Sequence, residues 1–134
     1  MQIGEASKRS GLEASAIRFY EAEGVVPAPA RTPAGYRDYG GPDVEILEFV
    51  ARLRRLELPL DDVREIVDLR VGGRAPCRAV RAAIDRESEA IDQKIVDMVR
   101  LRDELDQLQR RAAALEDAWP EDCVCHLLPE GSPR

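Results

Sequence analysis

The sequence is poor in aromatic residues, cysteine and histidine, and each shortage narrows what the chain can be. Aromatic residues occupy 4% of its 134 positions, so a core must be built mainly from aliphatic side chains. No apolar run approaches the ~20 residues of a membrane span, and the first residues are not typical of a secretion signal. We therefore expect a cytoplasmic protein with no membrane partner. One histidine and no nucleophile–base pair indicate that the chain is not an enzyme.

Cysteine occurs three times, at Cys77, Cys123 and Cys125, so complete pairing within one chain is excluded. In a reducing compartment an odd number of thiols indicates free thiols or metal ligands. Thiolates are soft ligands that select Zn²⁺, Cd²⁺, Hg²⁺, Pb²⁺ or Cu⁺ over hard cations. The only histidine, His126, directly follows Cys125 and is a fourth candidate ligand.

The net charge of −6 disfavours a general nucleic-acid binder, but the charge is unevenly distributed. Residues 1–55 carry eight basic and eight acidic side chains, whereas residues 75–134 carry nine basic and thirteen acidic ones. The N-terminal part can therefore present a local basic face.

Prolines and glycines divide the first part of the chain into short segments. Gly11 and Gly24 follow stretches of helical character and are typical helix ends. Prolines between residues 27 and 33 exclude a helix there, and two tyrosines among turn residues at 34–41 predict a short hairpin or wing. Pro42 is typical of the first position of a helix. The predicted helices are Ile3–Ser10, Ala14–Glu23, Pro42 to about Leu56, and Leu60–Leu69, and a linker follows at residues 71–76.

From Cys77 to about Ala118 the chain has no proline or glycine, and apolar residues recur every seven positions, as in a coiled coil. A helix of about 40 residues is ~60 Å long. An apolar stripe of that length is a large exposed patch unless a second helix covers it, so we expect a homodimer. One row is Ile84, Ile91, Met98, Leu105 and Ala112; the other is Val80, Leu101, Leu108 and Leu115, interrupted at Glu87 and Lys94.

The thiols flank this predicted helix, since Cys77 begins it and Cys123 and Cys125 follow its end. They are too far apart to share an ion within one chain. If two helices pair antiparallel, Cys77 of one protomer meets the other two cysteines of its partner, and two equivalent sites result. Three thiolates alone suit trigonal Hg²⁺ or Pb²⁺, whereas the addition of His126 makes a set suited to tetrahedral Zn²⁺ or Cd²⁺.

Three motifs occur in order before residue 40: IGEASKRSGL, AIRFYEAEGVV and RTPAGYRDY. They resemble the N-terminal domain of the MerR family of bacterial transcription regulators, and the likeness continues into the long helix. The resemblance implies a mainly α fold: a winged helix-turn-helix DNA-binding domain followed by a long antiparallel coiled-coil dimerisation helix. The implied divisions are 1–70 for the DNA-binding domain with its two-helix connector, 71–76 for a hinge linker, 77–119 for the dimerisation helix, and 120–134 for a metal-binding loop and C-terminal tail.

The two short helices and the wing carry the side chains that we expect to contact DNA. Arg18 is expected to face the major groove, where a guanidinium can pair with a phosphate or with a guanine edge. Tyr20, one turn on from Ile17, is expected either to pack inward or to donate to a phosphate, and Phe19 is expected in the core. Glu13 replaces the Ser or Thr that the family often has there, and its carboxylate would repel phosphate. The expected DNA contacts are Lys8, Arg9, Arg18, Tyr20, Arg31, Tyr36, Arg37 and Tyr39.

The resemblance also implies a function: a homodimeric regulator that binds double-stranded promoter DNA and, in response to Hg²⁺, Zn²⁺, Cd²⁺ or Pb²⁺, distorts the DNA so that RNA polymerase transcribes it. Metal-sensing members use a cysteine at the start of the long helix in one subunit and a loop after that helix in the other. Copper-sensing members usually lack the first cysteine, so Cys77 favours a divalent ion. Two alternatives remain: a thiol-redox-sensing regulator using Cys123 and Cys125, and a metal-sequestering protein.

Overall fold

A computed structural model describes residues 1–115, which form five helices and one two-stranded antiparallel sheet. The predicted mainly α architecture, a winged helix-turn-helix followed by a long helix, is confirmed. Within these residues no helix combines the length and apolarity needed to cross a bilayer. In chain order the elements are α1 (Ile3–Ser10), α2 (Ala14–Ala22), β1 (Ala30–Arg31), β2 (Arg37–Asp38), α3 (Gly41–Arg55), α4 (Leu60–Val71) and α5 (Cys77–Ala114).

The helix-turn-helix is set by the residues that end its helices. Gly11 follows α1 with φ +80°, a left-handed conformation that glycine adopts readily, and its N–H donates to the Ser7 carbonyl at 2.9 Å. The second helix ends at Ala22, one residue before the predicted end, because Glu23 acts as its cap. The turn between the two helices therefore consists of residues 11–13.

The wing is a short hairpin in which Ala30 pairs with Asp38 and Arg31 with Arg37. Its loop is closed by a hydrogen bond from the Thr32 N–H to the Tyr36 carbonyl at 2.7 Å. The predicted hairpin is thus present, but its first strand, Ala30–Arg31, lies before the predicted range of residues 34–41. It places Tyr36 at the loop and Arg37 on the second strand.

Two further helices support the helix-turn-helix. The third begins at Gly41, one residue before the predicted Pro42, and the Asp43 carboxylate accepts a hydrogen bond from the Gly40 N–H at 2.8 Å. The fourth continues to Val71, two residues beyond its predicted end.

One aliphatic core joins these elements within the unit Met1–Ser88. Its largest fully buried side chains come from α2, the segment after it, α3, the turn before α4, and α4 itself. Each such side chain stabilises the fold by about 1.5–3 kcal/mol relative to an exposed position. The largest are Ile17, Val25, Val50, Leu58, Val63, Ile66 and Val67.

The first turns of α5 belong to the same unit. Ala83 is buried in its core, and Arg86 Nη2 lies 2.9 Å from Asp62 Oδ1 on α4. The second unit begins at Glu89. Along its described part several heptad positions are exposed, for example Met98 at 63%, whereas Leu101 and Leu108 are half-buried. A single chain therefore leaves the apolar row of α5 in contact with water.

Replacing Ile17 with alanine tests the core. We expect the free energy of unfolding to fall by about 2–5 kcal/mol, because the change leaves a cavity around a fully buried position. Leu56→Ala, at a half-exposed position, is the control and should cost about 0.5 kcal/mol or less. Urea unfolding followed by circular dichroism measures both. Equal losses for the two variants would contradict the placement of Ile17 at the centre of the core.

Candidate nucleic-acid interface

A groove of about 260 Å³ opens between the start of α1, the exposed side of α2 and the wing. Three of its lining residues are arginines, and no acidic side chain lines it, so the groove suits an anionic ligand such as a nucleic-acid phosphate. The lining residues are Gln2, Ile3, Arg18, Arg31, Gly35, Tyr36 and Arg37.

Two residues of the wing are displayed by the hairpin loop. Arg31 Nη1 donates to the Gly35 carbonyl at 2.8 Å, which holds this guanidinium against the loop. The Tyr36 ring is 68% exposed. A tyrosine this exposed on a small basic hairpin has its hydroxyl free to donate to a phosphate oxygen.

A buried carboxylate joins α2 to the second strand of the wing. Only 7% of the Glu21 side chain is exposed. Its Oε2 accepts from Arg37 Nε at 2.9 Å, and its Oε1 accepts from the Tyr39 hydroxyl at 2.5 Å. A buried carboxylate is costly without partners, and here each oxygen has one. Both partners lie on one side of the extended segment, because residues two apart in a strand point the same way.

Tyr39 is a core residue rather than a surface one. Its ring is 2% exposed, so the predicted phosphate contact by Tyr39 disagrees with its position. Burial raises the pKa of the Tyr39 hydroxyl far above its ordinary value, and the hydrogen bond and negative charge of Glu21 raise it further. The positive charges of Arg37 and Arg18 oppose this shift in pKa. Tyr39 therefore remains a neutral donor to Glu21.

The two aromatic residues of α2 differ in burial, and the position of Phe19 differs from the prediction. Tyr20, predicted either to pack inward or to contact DNA, is buried, whereas Phe19, predicted in the core, is 49% exposed. The two rings meet edge to face, with centroids 5.8 Å apart. Residues three apart share a face of a helix, so Tyr20 lies on the same inward face as buried Ile17. The same periodicity places Phe19 on the exposed face.

The remaining predicted DNA contacts are exposed on α1 and α2. Lys8 and Arg9 lie in the last turn of α1, where Arg9 Nε is 3.2 Å from Glu5 Oε1. Arg18 is exposed on α2 and lines the groove. Glu13 precedes α2 as its N-cap residue without a side-chain capping bond. The structure therefore brings Arg18, Arg31, Tyr36 and Arg37 to one groove.

Only one of the four predicted metal ligands lies among the described residues. Cys77 is a free, exposed thiol at the first position of α5, which leaves it accessible to an ion. Cys123, Cys125 and His126 lie outside residues 1–115, so the ligand set stays a prediction. Within residues 1–115, no group of three or more histidine, cysteine or carboxylate side chains is placed to hold an ion.

Two family models match the chain. The first, MerR HTH family regulatory protein, matches residues 1–69, and the second, MerR, DNA binding, matches residues 44–108. Together they cover every element that forms the groove, the two helices behind it and most of α5.

Individual relatives match most of the chain. The HTH-type transcriptional regulator HmrR of Rhizobium leguminosarum bv. viciae is 38% identical over 81% of this chain and 83% of its own. The mercuric resistance operon regulatory protein of Bacillus cereus is 30% identical over 88% of this chain and 89% of its own. The crystal structure of PbrR691 from Ralstonia metallidurans CH34 in complex with lead(II) superposes with a TM-score of 0.72, at 33% identity, over 82% of this chain and 86% of that one.

The raised pKa of Tyr39 predicts how stability depends on alkaline pH. Above the unfolded-state pKa of about 10, the unfolded chain loses the Tyr39 proton while the folded chain keeps it, so stability falls as pH rises toward the folded-state pKa. Tyr39→Phe removes this contribution, and its unfolding free energy should decline less steeply above about pH 10. Urea titrations of both proteins from about pH 8 to 11 measure the two slopes. Parallel curves would show that Tyr39 ionises as easily in the folded chain as in the unfolded one.

Proposed function

The chain belongs to the MerR family of helix-turn-helix regulatory proteins, and from this we propose that it is a metal-responsive transcription regulator that binds promoter DNA as a homodimer. It is a regulator and not an enzyme. The observation that carries the DNA-binding part is the arginine-lined groove between α2 and the wing. The proposed division of the chain is the one its sequence predicts, with boundaries at 1–70, 71–76, 77–119 and 120–134.

The groove supports a specific docking geometry. Helix α2 enters the major groove with Arg18 against a phosphate or a guanine edge. The wing holds Arg31, Tyr36 and Arg37 against the phosphate backbone, while Lys8 and Arg9 contact phosphates beside α1. Tyr20 and Tyr39 support this surface from the core and contact no DNA.

Dimerisation is supported by the apolar surface of α5. Ile91, Ile95 and Met98 lie along one exposed groove of the helix, which is too apolar to remain in water as a bare surface. An antiparallel second copy covers it and carries Cys77 of one subunit to the loop at residues 120–134 of the other.

The proposed effector is a thiophilic divalent ion held by Cys77 of one subunit together with Cys123, Cys125 and His126 of its partner. Zn²⁺, Cd²⁺, Hg²⁺ and Pb²⁺ all fit a thiolate-rich set of ligands. The name of the B. cereus relative refers to mercury, and the PbrR691 crystal structure contains lead. With the ion bound, the dimer is proposed to distort the promoter and realign it for RNA polymerase, a shift between two populated states of the complex.

Introducing a charged side chain in the middle of the apolar row of α5 tests whether this surface forms the dimer interface. Met98→Glu should raise the dimer dissociation constant by about a hundredfold or more, because two uncompensated carboxylates become buried at the interface. Arg100→Glu is the matched control, since it adds a carboxylate two residues on, about 200° around the helix. Sedimentation equilibrium measures the association of each variant. A wild-type chain that sediments as a monomer, or equal effects of the two substitutions, would contradict the proposed pairing.

Cysteine substitutions test the site that spans the two subunits. Cys77→Ser should weaken Zn²⁺ and Pb²⁺ binding about tenfold or more, because each site loses a thiolate. Mixed dimers of Cys77→Ser with the double variant Cys123→Ser/Cys125→Ser should regain one intact site, visible as thiolate-to-metal charge-transfer absorbance.

The two alternative functions predict different responses to these variants and to DNA footprinting. A redox sensor using only Cys123 and Cys125 responds to diamide and is insensitive to Cys77→Ser. A metal-sequestering protein binds the ions tightly and protects no promoter DNA in footprinting. Mixed dimers without a recovered site would contradict the arrangement across subunits.

A further inference from the structure

We infer that Glu21 is a positioning residue for DNA binding: its buried carboxylate holds the wing against α2 and orients Arg37 toward the groove. The inference rests on the proposed DNA-binding function. It adds an acidic residue to an interface for which basic and aromatic side chains alone were expected.

The first observation is the place of Glu21 between the two DNA-facing elements. It lies on α2 three residues after Arg18, and its hydrogen-bond partners Arg37 and Tyr39 lie on or next to the second strand of the wing. One side chain thus links the helix proposed to enter the major groove to the hairpin proposed to contact phosphates. The distance between these two elements must match the distance between the groove floor and the backbone of DNA.

The second observation is the geometry at Arg37. Among the contacts within residues 1–115, this guanidinium bonds to Glu21 through Nε, at 2.9 Å, and Nη1 and Nη2 make no hydrogen bond there. Arg37 lines the groove, so its two terminal nitrogens are available to a phosphate oxygen. An arginine already held in place loses less side-chain freedom on binding than a mobile one.

The third observation is the alternation along the strand. Arg37 and Tyr39 point toward α2, while Tyr36 and Asp38 are exposed on the other side. The neutral Tyr39 hydroxyl, whose pKa is raised by burial, keeps donating to Glu21 throughout the physiological range of pH. The Glu21 carboxylate is therefore held from both sides and cannot turn away from Arg37 without breaking a buried hydrogen bond.

The direction in which DNA affinity changes when the Glu21 charge is removed distinguishes a positioning role from simple repulsion of phosphate. Removing a negative charge near DNA should strengthen binding if the charge acts only by repelling phosphate. If Glu21 positions Arg37, Glu21→Gln should instead weaken binding about tenfold, the order of one charged hydrogen bond. Glu23→Gln, which removes a charge from an exposed residue at the end of the same helix, is the matched control and should leave affinity unchanged or slightly higher.

The experiment uses the reduced full-length chain and a duplex that the wild-type protein enriches from a random library. Fluorescence anisotropy titrations over a range of KCl concentrations give the affinity and its salt dependence. For Glu21→Gln we expect weaker binding and a log–log salt slope shallower by about one, as for loss of one phosphate contact. Arg37→Ala should lose the same affinity, and the double variant Glu21→Gln/Arg37→Ala should lose no more than Arg37→Ala alone.

The outcomes are distinguishable. A wild-type chain that enriches no duplex overturns the proposed function and this inference with it. If the wild-type chain binds the duplex but Glu21→Gln binds it as tightly as Glu23→Gln does, the inference is wrong and the proposed function stands. The same holds if the affinity losses of Glu21→Gln and Arg37→Ala add up in the double variant. If Glu21→Gln does not fold by circular dichroism, Tyr39→Phe replaces it: the carboxylate loses one of its two anchors, and affinity should fall about two- to threefold. Unchanged affinity in a folded Tyr39→Phe variant overturns the inference.

Discussion

The apolar row along α5 is the constraint on which the rest of the proposed protein depends. Its first turns are covered by the core of the N-terminal unit, where Ala83 is buried. From Ile91 onward most large apolar side chains of the described helix are exposed. Hydrophobic surface of this extent favours a second helix, and two copies related by a twofold axis supply it in the simplest way. The proposed dimer, and with it the proposed ligand set divided between subunits, rests on this surface.

Within the N-terminal unit, burial and charge cooperate at the proposed DNA interface. Apolar packing around Ile17 fixes which side of α2 faces outward, and Arg18 is exposed as a result. The partly buried ion pair between Glu21 and Arg37 then links that helix to the wing. Such a pair adds little net stability, because desolvation of the two charges offsets their attraction. What it supplies is a defined geometry, which an apolar contact of the same size does not impose.

Much of this architecture could be predicted because its signals are local. Gly11 and Gly24 end helices through a backbone conformation that depends on one residue, and the heptad row of α5 is a property of spacing alone. The predictions that failed concern side chains that are stable both in the core and on the surface. Tyr39 was expected on the surface because tyrosine readily donates to phosphate, yet its hydroxyl donates to the buried Glu21 carboxylate. Phe19 was expected inside because it is apolar, yet helical geometry had already assigned the inward position to Tyr20.

The sequence by itself determined the order and type of the elements and the family, and it predicted a partner helix, since periodicity, helix ends and motifs are read from neighbouring residues. Only the tertiary structure decided that Tyr39 is buried and that Glu21 meets Arg37 and Tyr39. Those contacts join positions sixteen and eighteen residues apart across a hairpin. No local pattern encodes the pairing of a carboxylate with two residues of another element, because it arises only when the core has brought the two elements together.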